Sequence, residues 1–374
     1  MKHFNTLLFL SFMLISTAGS AQITQKINQF AWGELPAIPD NFGFPGSFSG
    51  VSGDALIVAG GANFPDGGAP WSGSKKVWSD KIFVLDKPSG KWKVAGKLPE
   101  ALGYGLSISW GKQFICIGGS NEKGHSAKVY AIHYKDKSII INRLPNLPQP
   151  IANTTGAVLG DVIYLAGGLV APESDHTANV FWSFDLSSKG KKRVWHKLET
   201  WPGPPRMLAV AGVADQIFYL FSGTDLIKNN KGGVDRQYLT DAFCYSAADG
   251  WKKIASLPKA VVAAPYPAYN THHKSLLIFG GDDGVLAPKA AVLKEKHPGF
   301  ADEILAYDIE KNKWSVEGKV LKNIKADAQT NPNNSTWPAV TNTMVLWWGN
   351  LVFPGGEVRP AVRTPKVIIA RPKQ

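Results

Sequence analysis

Glu357 lies between two arginines in the segment Gly355-Gly356-Glu357-Val358-Arg359-Pro360-Ala361-Val362-Arg363-Thr364. A carboxylate can take and return a proton, and a guanidinium offers a planar fork of donors to an anion, so so short a turn could serve one small ligand as base and anchor. The same residues also suit a structural ion pair that ties the turn down, and the segment alone leaves both readings open. Other chemistry is hard to find. The sequence has no nucleophile elbow, phosphate-cradling glycine loop, metalloprotease helix or zinc-ligand spacing. His272 and His273 are adjacent, and neighbours on a regular strand face opposite sides, which argues against one shared metal. Cys116 and Cys244 sit in apolar runs and read as buried free thiols.

Something rigid must present that turn, and the repeats say what. A short apolar run closing on a small residue and Gly recurs at Ile57–Gly61, Ile115–Gly119, Tyr164–Gly168, Tyr219–Gly223, Leu277–Gly281 and Leu351–Gly356. Most are followed by a loop, a second strand-like run and a Trp: Ile82–Asp86 with Trp92, Val180–Asp185 with Trp195, Ala242–Tyr245 with Trp251, Ile304–Asp308 with Trp314. This is the Kelch pattern, in which each repeat of ~50 residues is a four-stranded blade that needs its neighbours to bury both faces. The second repeat has Ile139-Ile140-Ile141 and Leu144 where the Trp belongs and reads as degenerate. Extra length falls in loops between Gly61 and Asp80, between Gly281 and Asp302, and from Val316 to Trp337. After the last Gly pair only one more strand follows, Lys366–Ala370, whereas Phe30–Pro36 near the other end resembles an outermost, Trp-containing strand. The expected architecture is therefore an all-β, six-bladed Kelch-type β-propeller in one domain, residues 22–374, with the last blade closed by the N-terminal strand.

Residues 1–21 are set apart as an export signal: Lys2, an apolar run from Leu7 to Ile15, then Ala18-Gly19-Ser20-Ala21 before Gln22. That run is too short for a membrane span of ~18 to 20 residues, so the expectation is a periplasmic protein with no membrane insertion. The chain of 374 residues carries 41 Lys+Arg against 29 Asp+Glu, a net charge of +12 that favours anionic ligands. The basic residues are scattered (Lys75-Lys76, Lys191-Lys192-Arg193, Lys252-Lys253) without a nucleic-acid motif, and read as solvated surface.

The stretch Gly356–Thr364 resembles the Gly-Glu-x-x-Pro-x-x-Arg-Thr turn of the bacterial N-acetylneuraminate epimerases, the Kelch-propeller sialic acid mutarotases. Ala59–Phe64, Lys75-Lys76 with Ser79-Asp80, Tyr104–Ser107 with Trp110, and Gly203–Arg206 fit the same family. Their order is rotated, with the Glu-Arg turn at the C-terminal end, so the chain resembles a cyclically permuted branch. The resemblance implies an isomerase that opens and recloses N-acetylneuraminate, a small anionic sugar, without metal or organic cofactor. Glu357 carries over as proton acceptor and Arg363 as its partner, a fork for the substrate carboxylate. Arg206 is a candidate second cation or a packing residue between blades, and Asn63, Tyr104 and Arg359 are further candidates for substrate binding. The chain would act as a monomer or homodimer. A non-catalytic sugar- or protein-binding propeller is the alternative; a copper oxidase on a similar scaffold would need converging Tyr and His ligands and a Cys-Tyr crosslink, and no pattern singles these out.

Overall fold

The computed structural model describes Met1 and residues 29–272 and 274–373. The export-signal segment and His273 lie outside the described residues, apart from Met1. Among the described residues six four-stranded antiparallel sheets form. The first is built from Phe48–Ser52, Ala55–Ala59, Lys81–Leu85 and Lys93–Lys97, and the next four follow in chain order to Lys313–Lys319. The sixth joins Val345–Trp347, Asn350–Pro354 and Val367–Pro372 to Phe30–Leu35, with Trp32 opposite Ala370. Closure by the N-terminal strand is thus as the sequence implied. The Trp-less second repeat is a full blade, its outer strand Ser138–Leu144 paired along its length with Val129–Lys135.

Burial explains the ring. Alternating strand residues put apolar side chains on both faces of every sheet, and six buried clusters result, each shared by two neighbouring blades. The outer Trp of a blade stitches it to the one before: Trp92 Nε1 donates to the Pro36 carbonyl at 2.7 Å, Trp195 to Pro145 at 3.0 Å, Trp251 to Glu199 at 2.8 Å and Trp314 to Ala255 at 2.9 Å. The first Gly of a pair is needed for close approach. At Gly60, with φ +68°, a Cβ would stand 2.1 Å from the Leu102 carbonyl oxygen of the next blade, whose carbonyl bonds the Gly61 N–H at 2.8 Å. Ser222 takes this place in the fourth repeat at φ +54°, and its hydroxyl accepts from Val261 N–H at 2.9 Å and donates to Leu239 O at 2.8 Å.

On the axis, the residues that lead into successive blades form a closed belt. Tyr104 N–H donates to Gly46 O, Asn153 to Tyr104, Leu208 to Asn153, Ala263 to Leu208, Thr341 to Ala263 and Gly46 to Thr341, all at 2.7–2.8 Å. All six have left-handed backbones, φ from +54° to +66°, a conformation that costs a residue with a side chain roughly 1–2 kcal/mol. The belt repeats the conformation because it lets each N–H point back to the preceding blade, and it makes a rigid floor for whatever lies above.

Candidate active site

Above the belt opens a concavity of about 490 Å³ lined by residues of all six blades. Its walls include the links between the second and third strands of blades, four of which fold back as small hairpins: Ala62–Asn63 with Val77–Trp78, Ser120–Asn121 with Gly124–His125, Thr224–Lys228 with Val234–Tyr238, and Glu357–Arg359 with Val362–Arg363. The Glu-Arg turn is the last of these. Glu357 pairs with Arg363 directly across its two strands, so both side chains stand on one face. Glu357 is half-buried; its Oε1 accepts the Ala361 N–H at 3.0 Å, and its backbone bonds Val340 in both directions. Arg363 is 7% exposed, lies 4.2 Å over the Phe64 ring, and its Nε and Nη1 have no acceptor among the described residues. A buried guanidinium with unpaired donors favours an anion that would pair them.

Two more groups complete this side. Tyr104, in the belt, sits edge-on to Trp78 at 5.6 Å, and its phenol is pushed well above the usual range by burial, then by the Glu357 carboxylate, against an opposing charge and hydrogen bond from Arg363. Lys76 Nζ stands 4.7 Å over the Tyr104 ring and 5.2 Å over Trp78. The sequence placed Lys76 among solvated surface charges; instead it lines the concavity beside Glu357 and Arg363. It is open to the solvent of the cavity yet hemmed in by protein, and that confinement, followed by Arg363, lowers its pKa while Glu357 opposes.

The other candidates are placed elsewhere. Arg206, expected as a possible second ligand cation, is fully buried. Its Nη1 and Nη2 each bond Asp241 at 2.9 Å, Nη1 also bonds Ser222 O at 2.9 Å, Pro204 O accepts from Nη2 and Nε, and the group lies between Trp201 and Phe243. It therefore fastens the segment that enters the fourth blade to Ser222, Asp241 and Phe243 of that blade, a structural role. Arg359 also misses the concavity: the register shifts between Glu357 and Arg359, and Arg359 is buried elsewhere. There it stacks 5.2 Å from Trp337 and bonds the Glu295 carbonyl of the 282–302 loop. Asn63 lines a neighbouring concavity of about 280 Å³ with Asp40, Phe42 and Asp80, on the far side of Trp78, and bonds Asp40 at 3.3 Å. His272 lies in a turn at φ +58° rather than on a strand. Cys116 is buried as expected, and Cys244 is only half-buried.

His125, Arg236 and Asp282 also line the mouth and went unread in the sequence. His125 Nδ1 pairs with Ser120 Oγ at 3.0 Å, Nε2 has no partner among the described residues, and burial lowers its pKa to about 4. Asp282 accepts the Tyr238 hydroxyl at 2.8 Å. Only their repeated place, just past a Gly pair or in the hairpin after it, could have flagged them.

With this geometry in place, comparison with known proteins decides the family. The model of the N-acetylneuraminate epimerase family matches residues 15–141 and 144–287. The chain belongs to this family. N-acetylneuraminate epimerases of Haemophilus influenzae strain PittEE, 29% identical over 240 residues (59% of this chain, 57% of that one), and of Salmonella enteritidis PT4, 36% identical over 120 residues (29% and 31%), are similar to it. The chain thus spans little more than half the length of the epimerase-family relative from Haemophilus. The solved structure of YjhT shares the fold, with TM-score 0.62 and 14% identity over 90% of this chain and 96% of that one. The epimerase-family match ends upstream of Glu357 and Arg363.

Proposed function

We propose that this chain is a mutarotase that interconverts the α and β anomers of N-acetylneuraminate. The observation that carries the reading is Glu357 standing opposite Arg363 across a hairpin at the mouth of the concavity; family membership supports the substrate. The volume lies within the range of small-molecule sites. In the proposed reaction Arg363 holds the sugar carboxylate through its planar fork. Glu357 takes the proton of the anomeric hydroxyl, the bond from anomeric carbon to ring oxygen breaks as that oxygen gains a proton, and a keto form results. Rotation presents the other carbonyl face, the ring recloses, and Glu357 returns its proton. The cations Lys76, Arg236 and Arg363 at the mouth and the net charge of +12 favour an anionic substrate. We further read the chain as one domain from residue 22, exported by its first 21 residues, and as a permuted branch in which the Glu-Arg turn lies in the last blade.

Glu357→Gln tests this. It should abolish most anomerisation, by roughly 10²-fold or more, while N-acetylneuraminate still raises the melting temperature. A variant that keeps the wild-type rate removes Glu357 from the reaction; wild type that binds the sugar with no rate enhancement makes the protein a binding module.

A further inference from the structure

We infer that Lys76 is the general acid of the proposed reaction, giving a proton to the ring oxygen as Glu357 takes one from the anomeric hydroxyl. The inference rests on the mutarotase reading and adds the second group that ring opening requires. Lys76 comes from the first blade's hairpin and Glu357 from the last, so the two reach the concavity from adjacent blades, and Tyr104 stands close to both. The Lys76 ammonium is positioned by the faces of Tyr104 and Trp78, at 4.7 and 5.2 Å. The groups that act on it are Glu357 and Arg363 from the last blade's hairpin, with Tyr104 from the belt; Glu122, His125, Arg236 and Asp282 stand around the rest of the mouth.

The neighbours are poorer acids. The Tyr104 phenol holds its proton more tightly than a free one. His125 is neutral near pH 7. Lys76, facing the same concavity as Glu357, has its proton loosened by confinement and by the Arg363 charge, which moves an amine toward the range useful for acid catalysis. The protons balance. On opening, Lys76 goes from ammonium to amine as the ring oxygen becomes a hydroxyl, and Glu357 goes from carboxylate to acid as the anomeric hydroxyl becomes the ketone oxygen. On reclosing, the hydroxyl attacks the ketone, its proton returns to Lys76, and Glu357 protonates the new anomeric oxygen.

The test compares kcat, KM and pH profiles of wild type, Lys76→Met and Lys76→Arg, with N-acetylneuraminate as substrate and melting curves to confirm folding. Arg keeps the charge but cannot act as an acid. Both variants should lose roughly 10²-fold in kcat, with KM nearly unchanged in Lys76→Arg. Wild-type activity should fall as pH rises through the Lys76 pKa, below the ordinary 10.5, and the residual activity of Lys76→Met should lack that fall. Wild-type kcat in Lys76→Arg would reduce Lys76 to an anchoring charge and overturn the inference, as would an alkaline fall that persists in Lys76→Met. Both outcomes leave the mutarotase reading standing; it fails separately if wild type does not accelerate anomerisation.

Discussion

Arg206→Met separates a packing arginine from a ligand-binding one. The guanidinium pairs with Asp241 through both oxygens and also serves the Ser222 and Pro204 carbonyls. Pro204 O keeps a second donor, Trp201 Nε1 at 2.8 Å, so the loss falls on Asp241 and Ser222. Removing one partner of a buried ion pair costs roughly 3–5 kcal/mol. Asp241 retains 19% exposure and can rehydrate, which places the cost near the lower end, about 3 kcal/mol. Met keeps most of the stem volume between Trp201 and Phe243, so little of this comes from a cavity. For a chain of this length the melting temperature should fall by roughly 4 °C, while affinity for N-acetylneuraminate, measured by calorimetry on folded protein, stays the same. An unchanged melting temperature with binding weakened about tenfold, some 1.4 kcal/mol, would refute the reasoning and return Arg206 to the site.

Three further expectations follow from the geometry. In Gly46→Ala the new Cβ would stand 2.7 Å from two atoms of the Tyr104 ring at φ +66°, so anomerisation should fall by about tenfold through misplacement at the site; an unchanged rate would show that Tyr104 has no part in it. Arg363→Lys replaces a fork by a point charge and should raise KM about tenfold with a smaller effect on kcat, and steady-state kinetics with an unchanged KM would contradict the anchoring role. His125 has its folded pKa lowered to about 4 from 6.5, so the unfolded chain takes up the proton first and stability falls as pH drops through that window. Melting curves of His125→Gln should show a shallower decline there than wild type, and identical slopes would contradict the burial argument.

The fold was legible in the sequence because its signals are local. Gly pairs mark where the chain turns against the next blade, the outer Trp marks the strand that bonds the previous one, and Phe30–Leu35 carried the same signature at the other end of the chain. Glu357 and Arg363 were legible for the same reason, being six residues apart in one hairpin. What escaped was long-range. Lys76 looked like any surface lysine because its neighbours Tyr104, Glu357 and Arg363 come from other blades. Arg206 could be read as a ligand cation or as a packing residue because its partner Asp241 lies 35 positions on. Arg359 was a further candidate for substrate binding, but it packs against Trp337 instead, beyond a register shift that alternation along a strand does not predict. The belt of left-handed residues has no common residue type, since Gly, Tyr, Asn, Leu, Ala and Thr all occupy it; the hydrogen bonds between blades select the conformation there, against local preference.

The most direct measurement is proton NMR of freshly released α-N-acetylneuraminate, following the β anomer with and without the purified protein. Proton exchange between Glu357 and the anomeric oxygen predicts that the β signal grows faster with wild type, in proportion to protein concentration, and at the uncatalysed rate with Glu357→Gln. A β signal that grows at the uncatalysed rate with wild type at every concentration would contradict the account.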